Sequence, residues 1–172
     1  PPGAANLISL RNAPALYGLG PIDSIPDEVI RAAASTKGPV HGRVNLVWDL
    51  QGRERVGRFG WKADTPTLEQ FVGEAFRNEL GVTNPVAPID LANSSGCGHA
   101  VAGPPDNDDS LVRAVTTYIA SLPRPIARTD ADNRSGEALF AVAGCTACHT
   151  PKLASAAGDL PLHLRQPFGG CL

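Results

Sequence analysis

The nine residues AGCTACHTP, at 143–151, place two cysteines three positions apart with a histidine directly after the second. In a chain with four cysteines and four histidines this concentration restricts the chemistry and the local fold more than any other feature. Three chemistries use paired thiols at this spacing: a redox dithiol, half of a zinc site, and covalent attachment of haem. A redox dithiol belongs at the start of a helix after a buried strand, where the helix N-terminus lowers a thiol pKa. Here an alanine-rich helical stretch precedes the cysteines and no βαβ pattern surrounds them. Zinc needs four ligands. Cys145 and Cys148 could be completed by Cys97 and His99 from the CGH of an upstream loop, as structural zinc in a non-enzymatic domain, but His149 is then unexplained. Haem accounts for all three residues together. The thiols of Cys145 and Cys148 add across the porphyrin vinyl groups as thioethers, and His149 supplies the proximal nitrogen to the iron.

The remainder of the chain limits the setting. At 172 residues there is room for one domain, or a domain and a small companion. A hydrophobic content of 42% supports a core, while 18 glycines and 16 prolines imply many turns and irregular connections. The net charge of −2 and the absence of like-charge runs give no reason to expect a nucleic-acid or membrane-surface partner. No apolar stretch approaches the ~20 residues that span a bilayer. The chain opens PPGAANLISL, without Met, a basic leader or a signal core, and reads as a processed or incomplete chain. Cys97 and Cys171 remain as single cysteines, paired or unpaired.

Periodicity and punctuation divide the chain into elements. Ser24 is placed to cap a helix with Pro26 in its first turn and Asp27 and Glu28 favourable to its dipole. RVNLVWDL, at 43–50, alternates Val44, Leu46, Trp48 and Leu50 with polar neighbours, and Gln51-Gly52 turns it into a second short strand ending near Arg58 and Phe59. Asp64 or Thr65 caps the next helix, which carries Leu68, Phe71, Val72, Ala75, Phe76 and Leu80 and stops at Gly81. After a proline-rich loop, residues 109–122 form a second amphipathic helix with Leu111, Val112, Val115, Ile119 and Leu122 on one face. PRPIARTDADNR, at 123–134, is a polar linker. Ser135 then caps a short helix with Leu139 and Phe140 that runs into the cysteine pair. The expected fold is mainly α: a helical region with a small β-hairpin over 1–122, the linker, and the start of a cytochrome c-like haem segment over 135–172.

GEALFAVAGCTACH resembles the N-terminal helix and attachment site of c-type cytochromes. Upstream, LRNAPALYGLGPIDSIPDEVI, HGRVNLVWD and GRERVGRFGWKADTPTLEQFVGEAFRNELGVTNP resemble the region before the C-terminal haem of the di-haem oxidoreductases. These are thiol oxidoreductases or peroxidases related to the bacterial di-haem cytochrome c peroxidases, and the resemblance runs over residues 7–153. It implies a periplasmic or exported protein with two haem c groups, one taking in electrons from a redox protein and the other reacting with peroxide. One haem falls on this chain and the second is expected in a preceding N-terminal part. The residues after 154 depart from the family's pattern, so the chain reads as a C-terminal-half fragment, inactive alone. The group that cleaves peroxide would belong to the other haem pocket.

Further residues have two readings each. The chain has no Met, and the sole histidine downstream of the motif is His163. It is a distal-ligand candidate or, among Pro161 and Pro167, a surface side chain. His41 suits a solvated turn. Arg43 and Arg58 flank the hairpin as surface arginines or as partners of a haem propionate. Phe59, Trp61 and Tyr17 are a packed aromatic cluster or a route for electrons. Asp106, Asp108 and Asp109 precede a helix, where capping explains at least one of them. A calcium site would need more oxygen ligands than they supply.

Overall fold

The structure is a computed structural model and describes residues 13–34, 41–89, 103–125, 131–155 and 160–161. Two helices of thirteen residues each organise it, α3 (Leu68–Leu80) and α4 (Asp109–Ser121). The ends of both follow from local chemistry. The Thr67 side chain accepts from the Gln70 amide at the start of α3, and Gly81, at φ 68°, closes it in the left-handed region. Asp108 accepts from the Ser110 amide at the start of α4. The first helix therefore starts later than an Asp64 or Thr65 cap would put it. Thr65 is otherwise engaged: its backbone bridges Phe59, and its hydroxyl donates to Glu74 Oε2 at 3.0 Å.

Around these helices lie α1 (Leu19–Asp23), α2 (Asp27–Ala33) and a hairpin of β1 (Leu46–Trp48) and β2 (Glu54–Val56). The core joins Leu19, Ile22 and Ile25 to Phe59, Leu68, Val72, Val112, Ile119 and Leu153, and Phe59 stacks on Phe71 with centroids 5.8 Å apart. Leu111, expected on the buried face of α4, is exposed instead, because that helix turns only Val112 and Ile119 fully inward. Gly20 lets α1 approach α4, since a Cβ there would lie 2.3 Å from the Ala120 carbonyl oxygen. Gly73 does the same for the turn at 84–87, which Asn84 closes by accepting from the amides of Val86 and Ala87 and donating to Gly73 O.

Two local expectations are corrected. Ser24 does not cap α2: its hydroxyl donates back to Pro21 O at 2.7 Å, closing α1, and Pro26 occupies the capping position. Asp27 and Glu28 do lie in the first turn of α2. The hairpin forms, in the register Leu46 with Val56 and Trp48 with Glu54, but on that face only Val56 is buried. Leu46, Trp48 and Leu50 are all exposed, Trp48 at 66%. On the other face Val47 and Arg55 are half-buried, and Arg55 Nε donates to Asp27 Oδ2 of α2 at 3.0 Å. The hairpin is thus tied to α2 by this ion pair and by the Val56 amide, which donates to the same carboxylate.

Asp27 is also the partner of Arg58, which is 3% exposed. The Arg58 guanidinium donates to Asp27 Oδ1, to Val56 O at 2.7 Å, to Pro66 O at 3.3 Å and to Ile25 O. Burial by itself would raise the Asp27 carboxyl, but the hydrogen bonds from Arg55, Arg58 and the Val56 amide outweigh it and hold the group well below the usual carboxylate range. Asp23 behaves in the opposite sense. Burial pushes it up, offset only in part by the Leu68 amide at 2.9 Å and by the charges of Arg58 and Arg55.

These packing features carry two expected outcomes. Asp27→Asn leaves the Arg58 charge buried and unmatched, and should cost about 3 kcal/mol of unfolding free energy in urea titrations at neutral pH. Because the folded-state pKa of Asp27 is depressed, its contribution is fully present above the unfolded value of about 3.9 and falls away as the pH drops below it. The variant should therefore lose part of the wild-type decline in stability below about pH 4. Gly20→Ala forces α1 and α4 apart at a cost of about 2 kcal/mol, which alanine's better helix propensity offsets by about 1 kcal/mol. A lowered midpoint in the same titration checks it.

Candidate functional site

The motif is carried by the far end of α5 (Ala131–Val142) and the turn that follows. This helix begins four residues before Ser135, so Ser135 lies within it rather than at its cap, and the last part of the expected linker is helical. Every side chain described on α5, from 134 to 142, is exposed. Its apolar members are Leu139, Phe140 and Val142, at 68%, 41% and 86%. The helix closes with the Ala143 amide donating to Leu139 O at 2.8 Å and the Gly144 amide to Ala141 O at 3.0 Å. Gly144 then reverses the chain at φ 76°, and a 3₁₀ turn follows over Cys145–Ala147.

Three hydrogen bonds define that turn. The Ala147 amide donates to Gly144 O at 3.0 Å, and the amides of Cys148 and His149 both donate to Cys145 O, at 3.2 and 2.9 Å. Cys145 opens that turn and Cys148 closes it, so one turn of backbone carries both thiols. Cys145 is half-buried, Cys148 is exposed, and neither is in a disulfide. His149 directly follows and its imidazole meets the Phe140 ring, with centroids 5.8 Å apart and planes at 60°. Beyond it, β3 (Lys152–Leu153) pairs with β4 (Leu160–Pro161), and Leu153 is buried in the core beside α1, α3 and α4. The motif is thus tied to the helical core on its downstream side, while α5 stands open on its upstream side.

Two thiols on one turn with an imidazole directly after them, bordered by exposed apolar side chains of a helix, suit a flat macrocycle bound from one side. Among the described residues, no three His, Cys, Asp or Glu side chains are grouped so as to hold one. Cys97, His99, His163 and Cys171 lie outside the described residues, and the zinc arrangement gains no support.

Other candidates fall elsewhere. His41 and Arg43 are exposed at the approach to the hairpin. Arg58 is neither a surface residue nor available to a propionate, because its terminal nitrogens are held by Asp27 and three carbonyls. Phe59 is in the core against Phe71, whereas Trp61 and Tyr17 are about half exposed, so the three do not share one buried cluster. Asp106 accepts from the Thr83 amide at 2.9 Å and hydroxyl at 2.6 Å, Asp108 caps α4, and Asp109 pairs with Arg113 at 2.9 Å. The acidic loop is engaged in structure. Two features of the site were not anticipated: the contact between Phe140 and His149, and the burial of Leu153. Phe140 was visible as an aromatic at the end of an amphipathic helix, but Leu153 had no local signal.

Among the described residues, no helix is long and apolar enough to cross a membrane. Searches of curated proteins and of solved structures found no match. A protein-family model described as "Di-haem oxidoreductase, putative peroxidase" matches residues 5–164, nearly the whole chain and all of the motif. The chain belongs to the di-haem oxidoreductase family.

Proposed function

We propose that Cys145 and Cys148 hold one haem c through thioether bonds, that His149 is its proximal ligand, and that the chain serves as an electron-transfer segment of an exported di-haem oxidoreductase or peroxidase. The observation that carries this reading is the single turn that bears both thiols and brings His149 against Phe140 on an exposed apolar helix. Membership of the family supports it independently.

When bound, haem supplies one-electron redox chemistry. The chain's own residues do the rest. Each thiol adds its sulfur to a vinyl carbon and its proton to the neighbouring carbon, which fixes the group covalently. The hydrogen-bonded backbone from Gly144 to His149 fixes the stretch that carries both thiols and the histidine. Leu139, Phe140 and Val142 would exclude water from a bound haem, and a drier surrounding is one lever on the reduction potential. Leu153 keeps the attachment site in register with the helical core. We take α5 as the first element of a cytochrome c-like unit reaching to residue 172, following a helical unit that ends near 122. Its electron partner is a redox protein, and its setting the periplasm or another exported location, as the family resemblance implies.

Two outcomes are expected. The chain, exported alongside a cytochrome c maturation system, should stain for haem after denaturing electrophoresis. Cys145→Ser with Cys148→Ser should abolish the stain at equal expression. A well-expressed but unstained wild-type chain would sink the proposal, and one zinc per chain without iron would turn it toward a structural metal site. The second outcome concerns Gly144. A Cβ there meets nothing within 4 Å, so the penalty of Gly144→Ala is the left-handed backbone alone, about 1 kcal/mol. Haem loading should fall while the midpoint of core unfolding barely moves, which densitometry of the stain and urea titration would report together.

A further inference from the structure

His149 is more constrained than its exposure suggests. Its amide donates to the Cys145 carbonyl, so the backbone position follows from the turn. The ring is a separate matter, because rotation about the final torsion of a histidine is broad and roughly two-fold. Among the described residues the His149 imidazole takes part in no hydrogen bond or ion pair. What it meets is the Phe140 ring, at 5.8 Å between centroids and 60° between planes. That lies within the roughly 4.5–7 Å range in which edge-on aromatic pairs attract.

The contact is a product of the local fold. Phe140 belongs to the last turn of α5, and His149 follows the 3₁₀ turn. Gly144, at φ 76°, reverses the chain between them and brings the imidazole back to the helix it has just left. Of the three large apolar side chains on this helix, Phe140 is the least exposed, at 41% against 68% for Leu139 and 86% for Val142.

We propose that Phe140 is a positioning residue that sets the plane of the His149 imidazole, and thereby the orientation in which its nitrogen meets a haem iron. The proposal rests on the reading of His149 as the proximal ligand. Groups that fix the orientation of a ligating ring tune the metal as well as hold the ligand, and this commonly falls to a hydrogen bond on the second ring nitrogen. Here an aromatic ring takes that part. Replacing Phe140 by an aliphatic side chain keeps the helix face apolar but removes the edge-on contact. Tyrosine keeps the ring.

Two measurements on the 172-residue chain test this. In the haem-free chain, proton NMR of the His149 ring reads the contact directly. Phe140→Leu should abolish the ring-current displacement of the imidazole protons, and Phe140→Tyr should retain it. Imidazole protons that do not move in Phe140→Leu would overturn the proposal. In the haem-loaded chain, electron paramagnetic resonance and redox titration read the ligand's orientation. Phe140→Leu should load haem with an altered spread of g-values and a shifted midpoint potential, and Phe140→Tyr should restore both. Wild-type g-values and potential in a loaded Phe140→Leu chain would overturn the proposal and leave the haem assignment standing. A wild-type chain that accepts no haem overturns the assignment and the positioning role with it, a failure distinguishable because the haem stain reports it first.

Discussion

A single buried guanidinium holds together parts of the chain that local structure leaves separate. Arg58 lies at 3% exposure and donates to a carbonyl between α1 and α2, to one at the end of β2, to one just before α3, and to the Asp27 carboxylate in α2. Burying a charge is costly unless it is paired and its protons are satisfied, so these four segments must come together for Arg58 to be tolerated at all. One atom, Nε, is buried without a hydrogen-bond partner, a desolvation cost that the bonds of the two terminal nitrogens must offset. Gly57 makes room for the arrangement, since a Cβ there would fall 1.7 Å from Ala63 O. Asp27 carries Arg55 as well, and so the same carboxylate ties the hairpin to α2.

The cysteine-histidine motif lies outside this network yet is coupled to its result. Phe59 follows Arg58 directly and packs in the same core as Leu153, four residues after His149. The motif therefore has one side referred to the helical core and one side open along α5. A covalently held macrocycle needs both conditions. The attachment turn must be placed reproducibly, and the adjoining apolar face must stay available until the group arrives to cover it. Leu139 and Val142, at 68% and 86%, give this helix an exposed apolar surface of the kind the proposed haem would cover.

Much of the architecture was legible where short-range chemistry decides it. Gly81 and Asp108 mark helix ends because the orphan groups of a helix end are satisfied within a few residues. Thr65 and Ser24 were misleading for the same reason seen from the other side. Each is a good cap by type, but each found a competing partner, Glu74 and Pro21. The hairpin shows the limit of periodicity. Leu46, Trp48 and Leu50, the apolar members of its alternation, are all exposed, and what ties the hairpin to α2 is Asp27, which accepts from the Arg55 side chain and the Val56 amide. Arg58 could not have been read as buried from its neighbours, because its partners come from segments up to 33 positions away.

The sequence by itself determined the grouping of two thiols and a histidine within five positions, which a single turn then carries. It also determined its two main helices, since capping and helical spacing are local properties of the chain. Only the tertiary structure decided which arginine would be buried, that Leu46 and Trp48 of the hairpin would be exposed while Val56 is buried, and that Leu153 would tie the motif to the core. Those outcomes depend on groups distant along the chain, whose desolvation and pairing have no energy until the chain brings them into contact.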